Sequence, residues 1–233
     1  YVEKIMASNN RSGFIYKNVD NTAILSSALY KNISDSTYGL LLQNCSCLSV
    51  INSNIQSNCG QNDCYGIFAT QCNDGEIINC KLNSNQSKDG PISGIKIDNS
   101  KNIKIKGNII QSNKSQTQVS FGLQLLQGTQ YEVTKNKISN NNSEKADQLS
   151  YGIYLENTNY SSIEANRVEA HKIGIIDKNP YSTCLFIKNM ALNNYINYEV
   201  AFEKGELLVK KGFFADLVTL LNAQTYDNIE IVM

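Results

Sequence analysis

Apolar residues recur along this chain in a fixed order, separated by asparagine, serine and glycine. Take the glycine of each copy as position zero: Gly13, Gly39, Gly66, Gly94, Gly122, Gly152 and Gly174. Position one then reads Phe14, Leu40, Ile67, Ile95, Leu123, Ile153 and Ile175. Position eleven reads Ile24, Val50, Ile77, Ile105, Val133, Ile163 and Leu185, and position sixteen Leu29, Ile55, Leu82, Ile110, Ile138, Val168 and Met190. Two amide columns run beside these. Position five is Asn18, Asn44, Gln71, Asn99, Gln127, Asn157 and Asn179, and position nineteen is Asn32, Asn58, Asn85, Asn113, Asn141, His171 and Asn193.

A period of 22 to 30 residues signals a solenoid, in which a unit buries its apolar side only against its neighbours. Each unit carries three short runs with β-type alternation, near positions zero to four, nine to thirteen and fourteen to eighteen, with polar corners. Position three is mostly apolar too, so positions one and three point inward and two and four outward. Amides repeated at a corner can bond to the coils above and below, which gives the asparagines a structural role first.

The runs YGIYLENT, YGIFATQC, SGIKIDNS and FGLQLLQG resemble the right-handed parallel β-helix of the pectate-lyase-like superfamily, with repeats of the PbH1 or NosD type. The resemblance covers roughly residues 12–194. It implies an all-β solenoid of about seven three-strand coils plus a partial amino-terminal one. That superfamily includes lyases, hydrolases, epimerases, tailspikes and noncatalytic binding proteins, so the fold does not carry an activity with it.

The domain reading is a β-helix over 1–194 and a cap over 195–233. Tyr1 to Asn10 reads as the last strand and turn of an earlier coil, with Met6 at the core position and Asn9 on the asparagine ladder. At the other end Phe213, Leu217, Leu220 and Leu221 have helical spacing. This predicts a helix over 213–224 that covers the open end of the apolar column. Between neighbouring coils the inserts all fall after position nineteen, at 33–36, 59–63, 86–91, 114–119 and 142–149. They form one loop edge of the kind that builds binding faces in solenoids.

Twenty-one basic and 21 acidic residues cancel, and no basic stripe stands out, which argues against nucleic acid and anionic membranes. No apolar run reaches the roughly 20 residues of a membrane span. The compartment stays open, secreted, surface or cytoplasmic, with no signal peptide visible in this chain; a monomer is expected. The seven cysteines follow the repeat rather than a metal-ligand spacing: Cys45 and Cys72 share position six, Cys80 stands at position fourteen, and Cys184 at the outward position ten. They read mainly as reduced thiols, with Cys59 to Cys64 the one candidate loop disulfide. No metal site and no cofactor are expected. Four of the Asn-x-Ser motifs, at Asn32, Asn85, Asn113 and Asn141, lie on the ladder and read as chance matches rather than glycan acceptors.

Candidate chemistry lies on the outward positions of the first strand. Asp98 and Glu156 share a column two coils apart, about 9 to 10 Å by coil stacking. That is near the upper end of the spacing used by inverting glycosidases, about 6.5 to 9.5 Å. Leu126 lies between them. The relatives implied by the resemblance use clustered acids with His and Arg, or an Arg base with calcium ligands. This chain has only Arg11, Arg167 and His171, and His171 takes a ladder place. A binding surface asks for less, and Phe68, Lys96, Gln124 and Tyr154 are its candidate residues, suited to a polysaccharide or a protein partner. The favoured reading is a noncatalytic binding module; a polysaccharide lyase or inverting glycoside hydrolase, and a structural spacer, are the alternatives.

Overall fold

The computed structural model describes residues 1–179 and 182–200, with the pairs 209–210 and 231–232. It is a parallel β-helix of three sheets. The glycine sheet runs from Phe14–Lys17 through Ile33–Gln43, Cys59–Thr70, Ile92–Asp98, Ser120–Leu126, Ser150–Glu156 and Ile173–Asp177 to Ile196–Val200. The second sheet runs from Val2–Glu3 to Leu185–Ile187, and the third from Met6–Ser8 to Met190–Leu192. Each strand pairs in parallel with its equivalents one coil before and after, so equivalent residues stack directly: Ile67, Ile95, Leu123 and Ile153 form one such column.

The interior is built by repetition. Ile67, Ile95, Leu123, Ile77, Ile105, Val133, Leu82, Ile110 and Ile138 are all fully buried, and each such side chain contributes roughly 1.5 to 3 kcal/mol. The glycine column is explained by crowding at one inner corner. A Cβ on Gly94 would stand 2.3 Å from Ile110 Cγ2 and 2.8 Å from the Gly122 carbonyl oxygen. No other residue type fits there.

The two amide columns have different causes. Position nineteen is a buried ladder in which Asn58 Nδ2 donates to Asn85 Oδ1 at 2.8 Å, Asn85 to Asn113 at 2.8 Å and Asn113 to Asn141 at 2.8 Å. Each backbone N–H bonds the same oxygen, as Asn85 N does to Asn113 Oδ1 at 3.2 Å. In the first six coils position five is exposed and left-handed, with φ of 56° at Asn18, 52° at Asn44 and 45° at Asn99, and there Asn44 Nδ2 donates to Asn18 Oδ1 at 2.8 Å. Asparagine tolerates that conformation better than most side chains. A second buried ladder occupies position fourteen: Asn108, Asn136 and Asn166, continued in the seventh coil by Asn189 one residue later, are joined at 2.9, 2.9 and 3.0 Å.

At both ends the register differs by one residue from the sequence reading. Ala7, not Met6, stacks on Leu29, and Met6 is 66% exposed. The ladder residue is Asn10, whose N–H donates to Asn32 Oδ1, while Asn9 takes the left-handed place before it. In the seventh coil Phe186, Ala191 and Asn194 replace the expected Leu185, Met190 and Asn193. The corner between Asp177 and Cys184 there holds one residue more than the corner between Leu155 and Ser161 before it. A slip of one residue exchanges inside and outside. Cys184 is accordingly buried rather than outward.

All seven cysteines are free thiols. Cys72 Sγ donates to the Leu42 carbonyl and Cys64 Sγ to that of Asn58, and burial pushes Cys64 up to about 12 and Cys72 to about 11. The helix expected over 213–224 lies outside the described residues. Ile196–Val200 continues the glycine sheet past residue 194.

Candidate functional site

The outer face of the glycine sheet gathers aromatic side chains into two clusters. Over the second and third coils Tyr38 and Tyr65 stack at 5.6 Å and 17°, and Phe68 lies 6.1 and 5.1 Å from them. Over the fifth and sixth coils Phe121 and Tyr151 stack at 5.3 Å and 15°, with Tyr154 edge-on to both. The second cluster is drier. Phe121 and Tyr151 are 7% exposed and pack with Ile173 and Ile176, outside the main core.

The fourth coil separates the clusters with polar groups. Ser93 stands where its neighbours carry Tyr65 and Phe121, and Lys96 where they carry Phe68 and Gln124. Lys96 Nζ lies 5.0 Å from the Phe68 ring centre and 5.4 Å from that of Tyr65, a cation–π contact worth about 0.5 to 1 kcal/mol at such a site. Ser93 Oγ donates to Gln124 Oε1 at 2.9 Å, which leaves the Gln124 amino group as a donor. Burial first, and then the Asp63 carboxylate, raises Tyr65; burial and the hydrogen bond to Glu156 raise Tyr154. Both phenols therefore remain protonated donors near neutral pH.

The two candidate carboxylates do share one column: Asp98 pairs with Leu126 and Leu126 with Glu156. The apolar Leu126 fills the middle of that column. Glu156 is exposed and accepts a bond from Tyr154 Oη at 2.9 Å. All four candidate binding residues, Phe68, Lys96, Gln124 and Tyr154, stand in a single outward column. Tyr38, Tyr65, Ser93, Phe121 and Tyr151 were missed by the sequence reading. Strict alternation puts the residue before the glycine inside, but the glycine and position one both turn inward, so the preceding residue faces out. The signal was an aromatic before the glycine in YGIF, FGLQ and YGIY.

His171 is structural. Asn141 N donates to its Nε2 at 3.3 Å, and its Nδ1 faces Asn194 Oδ1 at 3.3 Å, which suits a neutral ring protonated on Nδ1. Arg167 faces away on the third sheet and pairs with Glu169 at 2.9 Å.

The insert edge is more ordered than a set of variable loops. Ile33, Cys59, Gln86 and Lys114 stack in register, and Lys88 N bonds Gly60 O, Gln116 N bonds Ser87 O and Glu144 N bonds Ser115 O. Its acids are engaged in part. Ser36 Oγ donates to Asp63, and the Gln61 amide to Asp89.

The family described as periplasmic copper-binding protein (NosD) matches over residues 1–148 and 93–206. The chain belongs to this family. Among solved structures it is similar to the periplasmic alginate epimerase AlgG, with a TM-score of 0.59 at 14% identity over 85% of this chain and 49% of the epimerase. A point mutant of that epimerase matches with a TM-score of 0.60 at 15% identity, over 84% of this chain and 49% of that one. A mutant tailspike protein of E. coli bacteriophage HK620 in complex with pentasaccharide gives a TM-score of 0.38 at 12% identity, covering 82% of this chain and 47% of the tailspike. The chain spans about half the length of these proteins, and at such identities the epimerase likeness speaks for the fold. No curated protein matches the sequence.

Proposed function

We propose that this chain is a noncatalytic β-helix module that binds a carbohydrate through the outer face of the glycine sheet. The observation that carries the reading is the break in the repeat there: two aromatic clusters flank a band formed by Ser93, Lys96 and Gln124, while the interior beneath repeats without interruption. Apolar ring surface beside convergent donors and acceptors suits the two sides of a sugar, its C–H bonds and its hydroxyls. The similarity to an alginate epimerase is in keeping with a glycan partner.

The alternative, a lyase or inverting hydrolase acting through Asp98 and Glu156, has weaker support. An acid and a base working across one bond need a polar space between them, and Leu126 occupies it. Copper, named in the family's description, does not fit the residues present. Among the described residues no three His, Cys, Asp or Glu side chains converge on one point. The one histidine is held in a ladder, and burial raises Cys64, Cys72, Cys80 and Cys184, which opposes the thiolate a soft metal requires.

A glycan-array screen, with hits incubated and examined for new reducing or unsaturated ends, tests the reading. Saturable binding without cleavage, weakened in Tyr154→Ala, is the expected result. Cleavage lost in Asp98→Ala would make the chain an enzyme, and no glycan binding would leave a spacer or a protein-binding module.

A further inference from the structure

The charges on the outer face narrow the class of sugar. Over the second to sixth coils the outward positions before the glycine and two and four after it carry one ammonium, Lys96, against two carboxylates, Asp98 and Glu156, and no arginine. The ammonium is already drawn over the Phe68 and Tyr65 rings. Two more carboxylates flank the face. After burial, Asp63 is a cause of the rise at Tyr38 and Tyr65, and Glu199 of that at Tyr151, although Glu199 is itself paired with Lys178 at 3.1 Å. An acidic polymer would thus bring its carboxylates toward at least as many negative groups as positive ones, and like charges placed together suppress a partner.

The polar groups match hydroxyls better than anions. Lys96 donates, the Gln124 amino group donates, Asp98 accepts, and the Thr70 hydroxyl, stacked beside Asp98, does both. A hydroxyl both donates and accepts, so a mixed set of this kind can be satisfied by vicinal hydroxyls. A carboxylate, which only accepts, would leave Asp98 facing a second acceptor.

We propose that the ligand is a neutral oligosaccharide, lying along the helix axis with one sugar over the fourth coil and its neighbours against the two aromatic clusters. This rests on the reading of the face as a carbohydrate site. The clusters are centred three coils apart, roughly 14 Å at about 4.8 Å per coil, close to the length of about three pyranose rings. Lys96 and Asp98 grip the central sugar, while Phe68 on one side and Tyr154 on the other receive the C–H faces of its neighbours.

Calorimetric titration of the folded chain with two sets of hexasaccharides tests the proposal. The neutral set comprises gluco-, manno-, xylo- and galacto-oligomers; the acidic set comprises galacturonate and mannuronate oligomers. Each is titrated at about 20 and about 200 mM salt, since exposed charges are screened over that range. A member of the neutral set should bind with a Kd that changes less than about twofold between the two salts, with uronates at least about tenfold weaker. Asp98→Asn combined with Glu156→Gln should narrow that gap. Uronates binding as tightly as the neutral set or tighter, with an affinity that falls with salt and is lost in Lys96→Met, would overturn the neutral assignment and leave the carbohydrate face standing. No binding by either set, with the protein folded by circular dichroism, would remove the carbohydrate reading and this inference with it.

Discussion

The interior of the β-helix and the outer face of its glycine sheet are made by the same strands and obey opposite rules. Inside, Ile67, Ile95, Leu123 and Ile153 stand in line because each coil must fill the same cross-section as its neighbours. Outside, consecutive coils place Phe68, Lys96, Gln124 and Tyr154 in one column, with no common size, charge or polarity. Stability asks for sameness from coil to coil, whereas recognition of one ligand asks for a local departure from it. The fourth coil, where Ser93 and Lys96 interrupt the aromatic residues, is the largest such departure on this face.

Substitutions should separate the two regions sharply. Ile105→Asp places a charge in the closed interior and should cost more than about 5 kcal/mol; chemical denaturation should find no folded baseline, while Asp98→Ala keeps the parent midpoint. Asn113→Ala removes the oxygen that accepts both the Asn85 side-chain and backbone N–H groups. Two buried donors left unpaired should cost about 3 to 5 kcal/mol, read from the same denaturation curves.

His171 tests the ladder through pH. Burial lowers it from 6.5 to about 4, so the folded chain keeps the ring neutral where the unfolded chain already protonates it. Its contribution is therefore fully present above pH 6.5 and is lost as pH falls toward 4, by roughly 3 kcal/mol in all. Asp177, raised by burial, acts with the opposite sign, costing nothing below its unfolded value and more as pH rises. The difference between the parent and His171→Asn isolates the histidine: the variant should lack the loss between pH 6.5 and 4 and should restore an amide to the ladder. The smallest effect belongs to the exposed corners. Ser57 has a φ of 55°, and Ser57→Gly should raise stability by about 0.5 to 1 kcal/mol in thermal unfolding, because glycine adopts that conformation freely.

What was legible in the sequence follows the same division. The core columns and the position-nineteen ladder could be read because stacking forces one residue type to recur. The one-residue slips at the two ends could not. Met6 is the more apolar choice beside Ala7, but the left-handed residue before the ladder amide sets the register, and that is a property of the backbone. The exposed amides at position five resembled the ladder in composition while serving the turn. The residues before the glycines were overlooked because Gly94 and its equivalents interrupt the alternation that sequence reading assumes. The order of the insert edge was hidden for a related reason, since bonds such as that from Lys88 N to Gly60 O involve main chain and leave no trace in side-chain pattern.

The most direct measurement takes Tyr154→Ala and follows glycan binding and unfolding on the same preparation. Tyr154 is partly buried against Phe121 and Tyr151, so its removal should lower stability by no more than about 2 kcal/mol while binding falls at least about tenfold. Binding at the parent level, or a loss of folded protein as complete as in Ile105→Asp, would contradict the separation of a stabilising interior from a recognising face.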